Sequence, residues 1–483
     1  MAKFYIDQHG CAKNQTDGEL IAGFLCKNNF ELVTDPSLAD FILINSCGFI
    51  ESAKKESIDA IYSIKKSYPK AKIILTGCLA QRYADTLLES MPELDGIFGN
   101  GDLSKITEYI KKNQRKTLVP AQKGITEGVR PYIYNYKSSA FVKITEGCSN
   151  HCSFCAIPLI RGELRSREPE SIIKEITNLV KDGVYEINLI GQDLAAYGTG
   201  ADDAFILQSL DKSCTEKNLS PLAKLVTLID GIKGDFIVRP LYIHPDHFNV
   251  DILKIIKKSK KFISYFDIPF QSGDNSIIKA MNRTGSFDEY VKLIDTIRKE
   301  LPESAIRTTF LTGFPGETDE AAENTKRFLE RIEPHWSGCF AYSREEDTPA
   351  YNYKKRVSKK IAQERAQNLE NIQSQITLKK LEKYIGQETS VLVEEVIRND
   401  ADYSEDSSEG LAIGRAWFQA PEVDGCVVIR YDLDDQKMKD SVQEGNVVTV
   451  KILSVTGVDL DASFVRLQKT FDVNSKRIYL SQV

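Results

Sequence analysis

"AFVKITEGCSNHCSFCAIP", residues 140–158, decides the fold: an apolar run of strand character passes directly into a loop with three cysteines, Cys148, Cys152 and Cys155. Further strand-like runs follow, in "YEINLIGQD", "DFIVRPLYIHP", "YFDIPFQSG", "AIRTTFLTGFPGE" and "GCFAYSREED". Between them lie stretches such as "SIIKEITNLVKDG" and "DEYVKLIDTIRKEL", whose apolar residues recur every three or four positions, as on one face of a helix. Six βα units predict a parallel β/α barrel that is incomplete, since eight close the standard one. The cysteine loop then lies at the C-terminal face of the first barrel strand, where barrel enzymes keep their active sites.

Outward from that stretch the chain reads as three domains. Its 483 residues are long enough for about three cores of ordinary size. No segment approaches the ~20 consecutive apolar residues that a membrane span needs, and the start "MAKFYIDQHGCAKNQ" lacks a basic patch followed by an apolar run. A cytoplasmic protein is expected, with no membrane partner. In a reducing compartment the ten cysteines are more readily metal ligands or reactive groups than disulfides.

Residues 1 to about 110 repeat an apolar strand, a cysteine and a helix. "KFYIDQHGC" ends at Cys11, "DFILINSCGF" carries Cys47 and "AKIILTGCLAQ" carries Cys78, at separations of about one βαβ unit. In an open parallel sheet ligands gather outside the carboxyl ends of the strands, so these three cysteines are expected to meet in space. Packing as small buried hydrophobes would not explain why each sits at the same place in its unit. A second site of three thiolates is the expectation.

The expected organisation is an N-terminal parallel α/β, Rossmann-like domain (1–115), a polar linker (116–138), the β/α barrel (139–356), a long charged helix (357–385) and a small antiparallel, OB-like β-barrel (386–483). The last is read from short alternating strands such as "TSVLVEEVI", "CVVIRYDL" and "NVVTVKILSV". Residues 386–483 hold 10 Lys and Arg against 18 Asp and Glu, whereas residues 1–385 hold 53 against 51. The acidic balance of the chain belongs to its C-terminal fifth.

Structural zinc normally takes four protein ligands, often from paired CxxC motifs. Three cysteines spaced CxxxCxxC can instead hold three irons of a 4Fe-4S cluster and leave the fourth iron open. With Phe154 before the last cysteine, the motif resembles the radical SAM signature. Together with the strand-end cysteines, the small barrel of the TRAM type, and "GCSNHCSFCAIPLIRGELRSR", "GFPGETDE" and "SGDNSIIKAMNR", the chain resembles the radical SAM methylthiotransferase family over essentially its whole length. That resemblance implies two 4Fe-4S clusters, on Cys148, Cys152 and Cys155 and on Cys11, Cys47 and Cys78. It also implies S-adenosyl-L-methionine, cleaved at the open iron to a deoxyadenosyl radical. Such chemistry puts a methylthio group on a carbon with no acidic proton, a task that the cofactor carries while the protein positions it.

The family divides between adenosine in transfer RNA and an aspartate of small-subunit ribosomal protein S-twelve. RNA binding relies on Lys and Arg meeting phosphates, so an acidic terminal barrel fits a basic ribosomal protein better. "GRAWFQAPEVDGCVVI", residues 414–429, resembles the RimO type, which acts on the ribosomal protein. Ser272 in "DIPFQSG" stands where that type often has histidine, and "VTGVDLDASFV" has no DLWG ending. The resemblance further implies an electron donor such as flavodoxin or ferredoxin and a sulfur donor, and the chain is expected to act as a monomer. Phe154, Gln192, Asp193, Arg307, Gly313 and Gly316 are the expected cofactor contacts, the two glycines equally readable as a tight turn. Asp432, Asp434 and Asp435 in "DLDDQKMKD" are the expected docking charges. Cys26, Cys214, Cys339 and Cys426 match no ligand pattern, His151 reads as a loop residue, and the insert around residues 198–221 reads as a lid or a surface loop. The alternatives are transfer-RNA methylthiolation and a zinc-stabilised RNA-binding protein without activity. Iron, acid-labile sulfide and cofactor cleavage separate the enzyme from the last.

Overall fold

The computed structural model describes residues 1–216, 218–397 and 408–470 and the backbone of 478–479. Asp400, Asp402, Glu405, Asp406 and Asp472, counted in the acidic balance, lie outside the described residues, as do Arg398, Lys476 and Arg477.

The N-terminal domain is a six-stranded parallel sheet of β1 (Ala2–Gln8), β2 (Phe30–Leu32), β3 (Phe41–Ser46), β4 (Lys72–Thr76), β5 (Gly96–Phe98) and β6 (Thr117–Leu118), in the order β2-β1-β3-β4-β5-β6. Its helices are α1 (Ala12–Lys27), α2 (Glu51–Ser67), α3 (Gly77–Ser90) and α4 (Ile106–Lys112). Alternate residues of a strand point to opposite faces, so Leu43 and Ile74 join a core under α1 and α4, while Ile42, Ile44, Ile73 and Leu75 join one under α2 and α3. Burial on both faces explains the unbroken apolar runs of β3 and β4.

The 116–138 stretch is not a free linker. Its first residues are β6, the sheet's last strand; β7 (Tyr132–Ile133) pairs with a C-terminal strand at 478–479; and Arg130 is buried in ion pairs with Glu19 and Glu175. The apolar content was too sparse to betray these roles, and those of β7 and Arg130 depend on partners more than 40 residues away.

The central barrel has six parallel strands, β8 (Ser139–Lys143), β11 (Glu186–Ile190), β12 (Ile237–Pro240), β13 (Tyr265–Asp267), β14 (Ala305–Thr312) and β15 (Trp336–Ala341). They form two triplets, β12-β11-β8 and β13-β14-β15, which meet at a bridge between Val238 and Phe262. A short hairpin, β9 (Thr145–Glu146) with β10 (Arg165–Ser166), clasps the cysteine loop and its helix α5 (Ile157–Arg161). Outside lie α6 (Pro169–Lys181), α7 (Ala204–Ser213), α8 (Pro221–Asp230), α9 (Asp251–Ile256), α10 (Asn275–Ala280), α11 (Phe287–Glu300) and α12 (Asp319–Ile332). The insert is no lid: α7 buries Ile206 and Leu210 in the barrel's core. Helix starts follow local chemistry, as where Ser286 and Thr318 accept from the N–H groups of Glu289 and Ala321.

Helix α13 (Lys359–Glu382) lies along β14 and β15 and leads to a closed five-stranded barrel. Its strands are β16 (Glu388–Ile397), β17 (Glu409–Ala416), β18 (Val427–Asp432), β19 (Val447–Thr456) and β20 (Asp459–Lys469), with α14 (Gln436–Ser441) between β18 and β19. This domain covers the N-terminal ends of the central strands. Trp336, which opens β15, donates from Nε1 to the Phe418 carbonyl at 2.6 Å, and Tyr265, which opens β13, donates to Asp424 at 2.6 Å.

Candidate active site

Cys11, Cys47 and Cys78 follow three adjacent strands, β1, β3 and β4, at one edge of the N-terminal sheet. Cys11 caps the start of α1, and Cys78 lies in the first turn of α3. Gly77 permits that turn: with φ at +86° it is left-handed, and a Cβ there would lie 2.5 Å from the Ser46 carbonyl oxygen. Asn14 ties the loops together, donating from Nδ2 to the carbonyls of His9 at 2.8 Å, Asn45 at 2.9 Å and Ser46 at 3.2 Å.

Cys148, Cys152 and Cys155 occupy the loop between β9 and α5, at the C-terminal end of the central barrel. Phe154, between the last two, packs beside Ile277, Met281, Phe314 and Ala350 and so anchors the loop. His151 is exposed with φ at +49°, a loop residue as expected. All ten cysteines are free thiols. Cys26, Cys214, Cys339 and Cys426 lie outside both trios.

The thiols are held unequally. Burial pushes Cys47 and Cys148 up to about 12, with neighbouring thiols or carboxylates adding to it. Cys11 is reached by solvent yet ringed by protein; this desolvation raises its thiol, but Lys13, Asn14 and Arg161 outweigh it and leave it below its ordinary value. One buried arginine serves each trio. The buried Arg283 guanidinium lies close enough to Cys152 for opposite charges there to attract, and Arg161 donates from Nη2 to Cys78 Sγ at 3.2 Å. His244 stands 3.9 Å from Cys152 through Nε2, and burial, with Arg283 adding, lowers it to about 3, so it is neutral.

The expected cofactor contacts fare differently. Gln192 presents a buried Oε1 with no hydrogen-bond partner among the described residues, beside Glu146; an orphaned acceptor at the mouth of the barrel suits a bound polar group. Asp193 is instead taken up by the frame: it accepts from His247 Nδ1 at 2.7 Å, Asn150 Nδ2 at 3.0 Å and the Ala195 N–H at 3.0 Å, which joins the cysteine loop to the end of β12. Arg307 is the third residue of β14 and faces away from the cysteine end, paired with Asp267 at 3.4 Å and Asp424 at 3.3 Å. Gly313 and Gly316 make a turn. A Cβ on Gly313 would lie 2.2 Å from that of Ala362 on α13, and Gly316 has open space around it.

Sequence reading missed a buried ionic cluster between the two domains. Arg161 pairs with Asp17 and, at 3.1 Å, with Glu146; Lys143 pairs with the same two carboxylates; all four side chains are buried. The available signal was charge inside apolar elements, as with Lys143 in the "AFVKI" strand. Lys13 likewise lies buried over the Tyr242 ring, 3.2 Å from its centroid.

The donor set fits iron–sulfur ligation: two groups of three free thiols, each with a buried cation to offset thiolate charge. Family comparisons agree. Residues 3–99 match the Uncharacterized protein family UPF0004, residues 142–329 the Radical SAM superfamily and residues 385–465 the TRAM domain. A solved radical S-adenosylmethionine methyltransferase, TsrM from Kitasatospora setae, has a similar fold, with a TM-score of 0.51 at 11% identity over 72% of this chain and 74% of that one. The chain is therefore a radical SAM enzyme, and no helix among the described residues is long and apolar enough to cross a membrane. A protein named ribosomal protein uS12 methylthiotransferase RimO from Treponema denticola is 50% identical over 95% of this chain and 99% of its own length. One of the same name from Natranaerobius thermophilus is 39% identical over 87% of this chain and 91% of its own length. This chain belongs to the RimO-type radical SAM methylthiotransferase family.

Proposed function

We propose that this enzyme places a methylthio group on the β-carbon of an aspartate in small-subunit ribosomal protein S-twelve, using two 4Fe-4S clusters and S-adenosyl-L-methionine. The observation that carries the reading is the pairing of two cysteine trios, one at the strand ends of the N-terminal sheet and one in the barrel loop, joined through Arg161. In this reading Cys148, Cys152 and Cys155 hold the cluster that serves S-adenosyl-L-methionine, and Cys11, Cys47 and Cys78 hold the one that delivers sulfur. When bound, the cofactors supply the electron and the deoxyadenosyl radical that break an unactivated C–H bond.

The chain's own residues do the positioning. Phe154 anchors the cysteine loop, Asp193 fixes that loop against His247, and Gln192 offers its free oxygen to the methionine or nucleoside end of the cofactor. Arg283 and Arg161 offset the charge of the two trios.

The acidic C-terminal domain supports a basic protein substrate over a polyanion. It sits at the far end of the barrel strands, about 20 Å from the cysteine loop by strand length. A folded protein held there and reaching the site by an extended loop suits that separation. An electron donor such as flavodoxin or ferredoxin and a sulfur donor complete the reaction, and the enzyme works as a monomer in the cytoplasm.

Mass spectrometry of the ribosomal protein after reaction with reconstituted enzyme tests the reading. A methylthio group on an aspartate β-carbon is expected. The group on transfer-RNA adenosine, with the protein unmodified, would overturn it in favour of the other branch of the family.

A further inference from the structure

We propose that Arg161, a residue of the radical SAM barrel, sets the reduction potential of the cluster held by Cys11, Cys47 and Cys78 in the neighbouring domain. The inference rests on the reading that this trio holds a cluster.

Arg161 ends α5, six residues after Cys155, and is 2% exposed. Its Nη2 donates to Cys78 Sγ at 3.2 Å and lies 3.4 Å from Asn14 Oδ1; its Nη1 pairs with Asp17 and Glu146. A guanidinium has a rigid fork of donors and stays charged. Here the fork is divided, with one arm on two carboxylates and the other on a sulfur of the other domain. Hydrogen bonds to ligating sulfur and nearby charge are among the levers that set an iron–sulfur potential, and both favour the more negative, reduced state when the donor is a cation.

The charge balance gives the effect a sign. Arg161 and Lys143 face Asp17 and Glu146, two cations against two anions in a buried setting. Removing the guanidinium deletes the N–H to sulfur and leaves an excess negative charge beside Cys78, so the potential must fall. Neutralising Asp17 leaves an excess positive charge with the N–H retained, so the potential must rise. A residue that only clamped the domains together would predict loosening in both variants and a shift of the same sign.

The experiment uses full-length protein with Cys148, Cys152 and Cys155 replaced by alanine, reconstituted anaerobically so that only the N-terminal trio holds iron. A dye-mediated dithionite titration followed by electron paramagnetic resonance gives its midpoint. At the wild-type midpoint, Arg161→Met is expected to lower the reduced-to-oxidised ratio about tenfold, about 59 mV for one electron, and Asp17→Asn to raise it. Arg161→Lys, which keeps charge but not the fork, is expected in between, and decides the matter if the methionine variant takes up no iron. An unchanged midpoint in Arg161→Met, or in Arg161→Lys where that is the informative variant, would overturn the proposal, as would shifts of the same sign in the Arg161 and Asp17 variants. A background protein that binds no iron at all would instead sink the reading of the trio.

Discussion

Arg415 of the C-terminal barrel and Glu186, which opens β11 of the central barrel, meet at two points, Nη2 to Oε2 at 2.7 Å and Nη1 to Oε1 at 3.0 Å, with both side chains almost wholly buried. Arg239 shares the same carboxylate at 3.0 Å and donates to the Trp417 carbonyl at 2.8 Å. Removing one partner of such a set strands buried charge, at a cost of about 3–5 kcal/mol. Glu186→Ala is therefore expected to destabilise the contact between the two barrels by that order, seen in denaturant unfolding and in faster proteolysis between residues 386 and 483. Unchanged resistance would mean that the remaining contacts, those of Trp336 with Phe418 and of Tyr265 and Arg307 with Asp424 among them, hold the domain without Glu186.

Glu175 gives a pH dependence with a defined sign. Burial raises its carboxyl, but Arg130 and Arg167 outweigh that and hold it to about 2, below its ordinary 4.5. A depressed carboxyl stabilises the fold fully above the unfolded value, and the contribution is lost as pH falls from about 4.5 towards 2. Glu175→Gln should cost about 3 kcal/mol at neutral pH, a gap that closes as unfolding is repeated between pH 5 and 3. A constant gap would place the effect in packing.

Iron analysis separates the two trios. The intact protein, reconstituted without oxygen, is expected to hold roughly eight irons, two four-iron clusters. Alanine at Cys148, Cys152 and Cys155 should remove about half of them and abolish deoxyadenosine formation. Continued formation of deoxyadenosine would rule out this loop as the cofactor site.

Alanine at Cys11, Cys47 and Cys78 should spare cofactor cleavage, because these thiols belong to a separate sheet, while methylthio transfer is lost. Full methylthiolation of the ribosomal protein by this variant would reduce the three to packing.

Docking through the acidic barrel needs a choice of residues that only the structure supplies. Asp435 caps α14 by accepting from the N–H groups of Lys437 and Met438, and Asp432 accepts from the Asp434 N–H, so two of the three aspartates hold the turn itself. Asp434 and Asp440 are exposed. Their reversal to lysine should weaken binding of a basic ribosomal protein mainly through the on-rate, with less effect at high salt, whereas Asp435→Ala should cost about 1 kcal/mol of stability through the lost cap. Equal binding by the double variant at low salt would exclude this face.

The sequence by itself determined whatever local pattern controls. Apolar runs punctuated by helical periodicity specified the parallel strands, CxxxCxxC marked the loop after β8, and Cys11, Cys47 and Cys78 recur at equivalent points of their βα units, so parallel topology had to bring them to one edge. Tertiary structure alone decided what depends on which distant side chain arrives. Asp193 and Gln192 are neighbours in one motif, yet Asp193 is consumed by Asn150 and His247 while Gln192 keeps an oxygen with no partner among the described residues. Arg307 was turned from the cysteine end because Asp424, 117 residues later, meets it at the other end of the barrel. The junction of Asp17, Lys143, Glu146 and Arg161 carries no motif as a set, although Arg161 lies inside the cysteine-loop stretch. Its four charges are stable in the interior only because two domains deliver opposite signs to one place, and a buried charge is tolerated only when its partner is there.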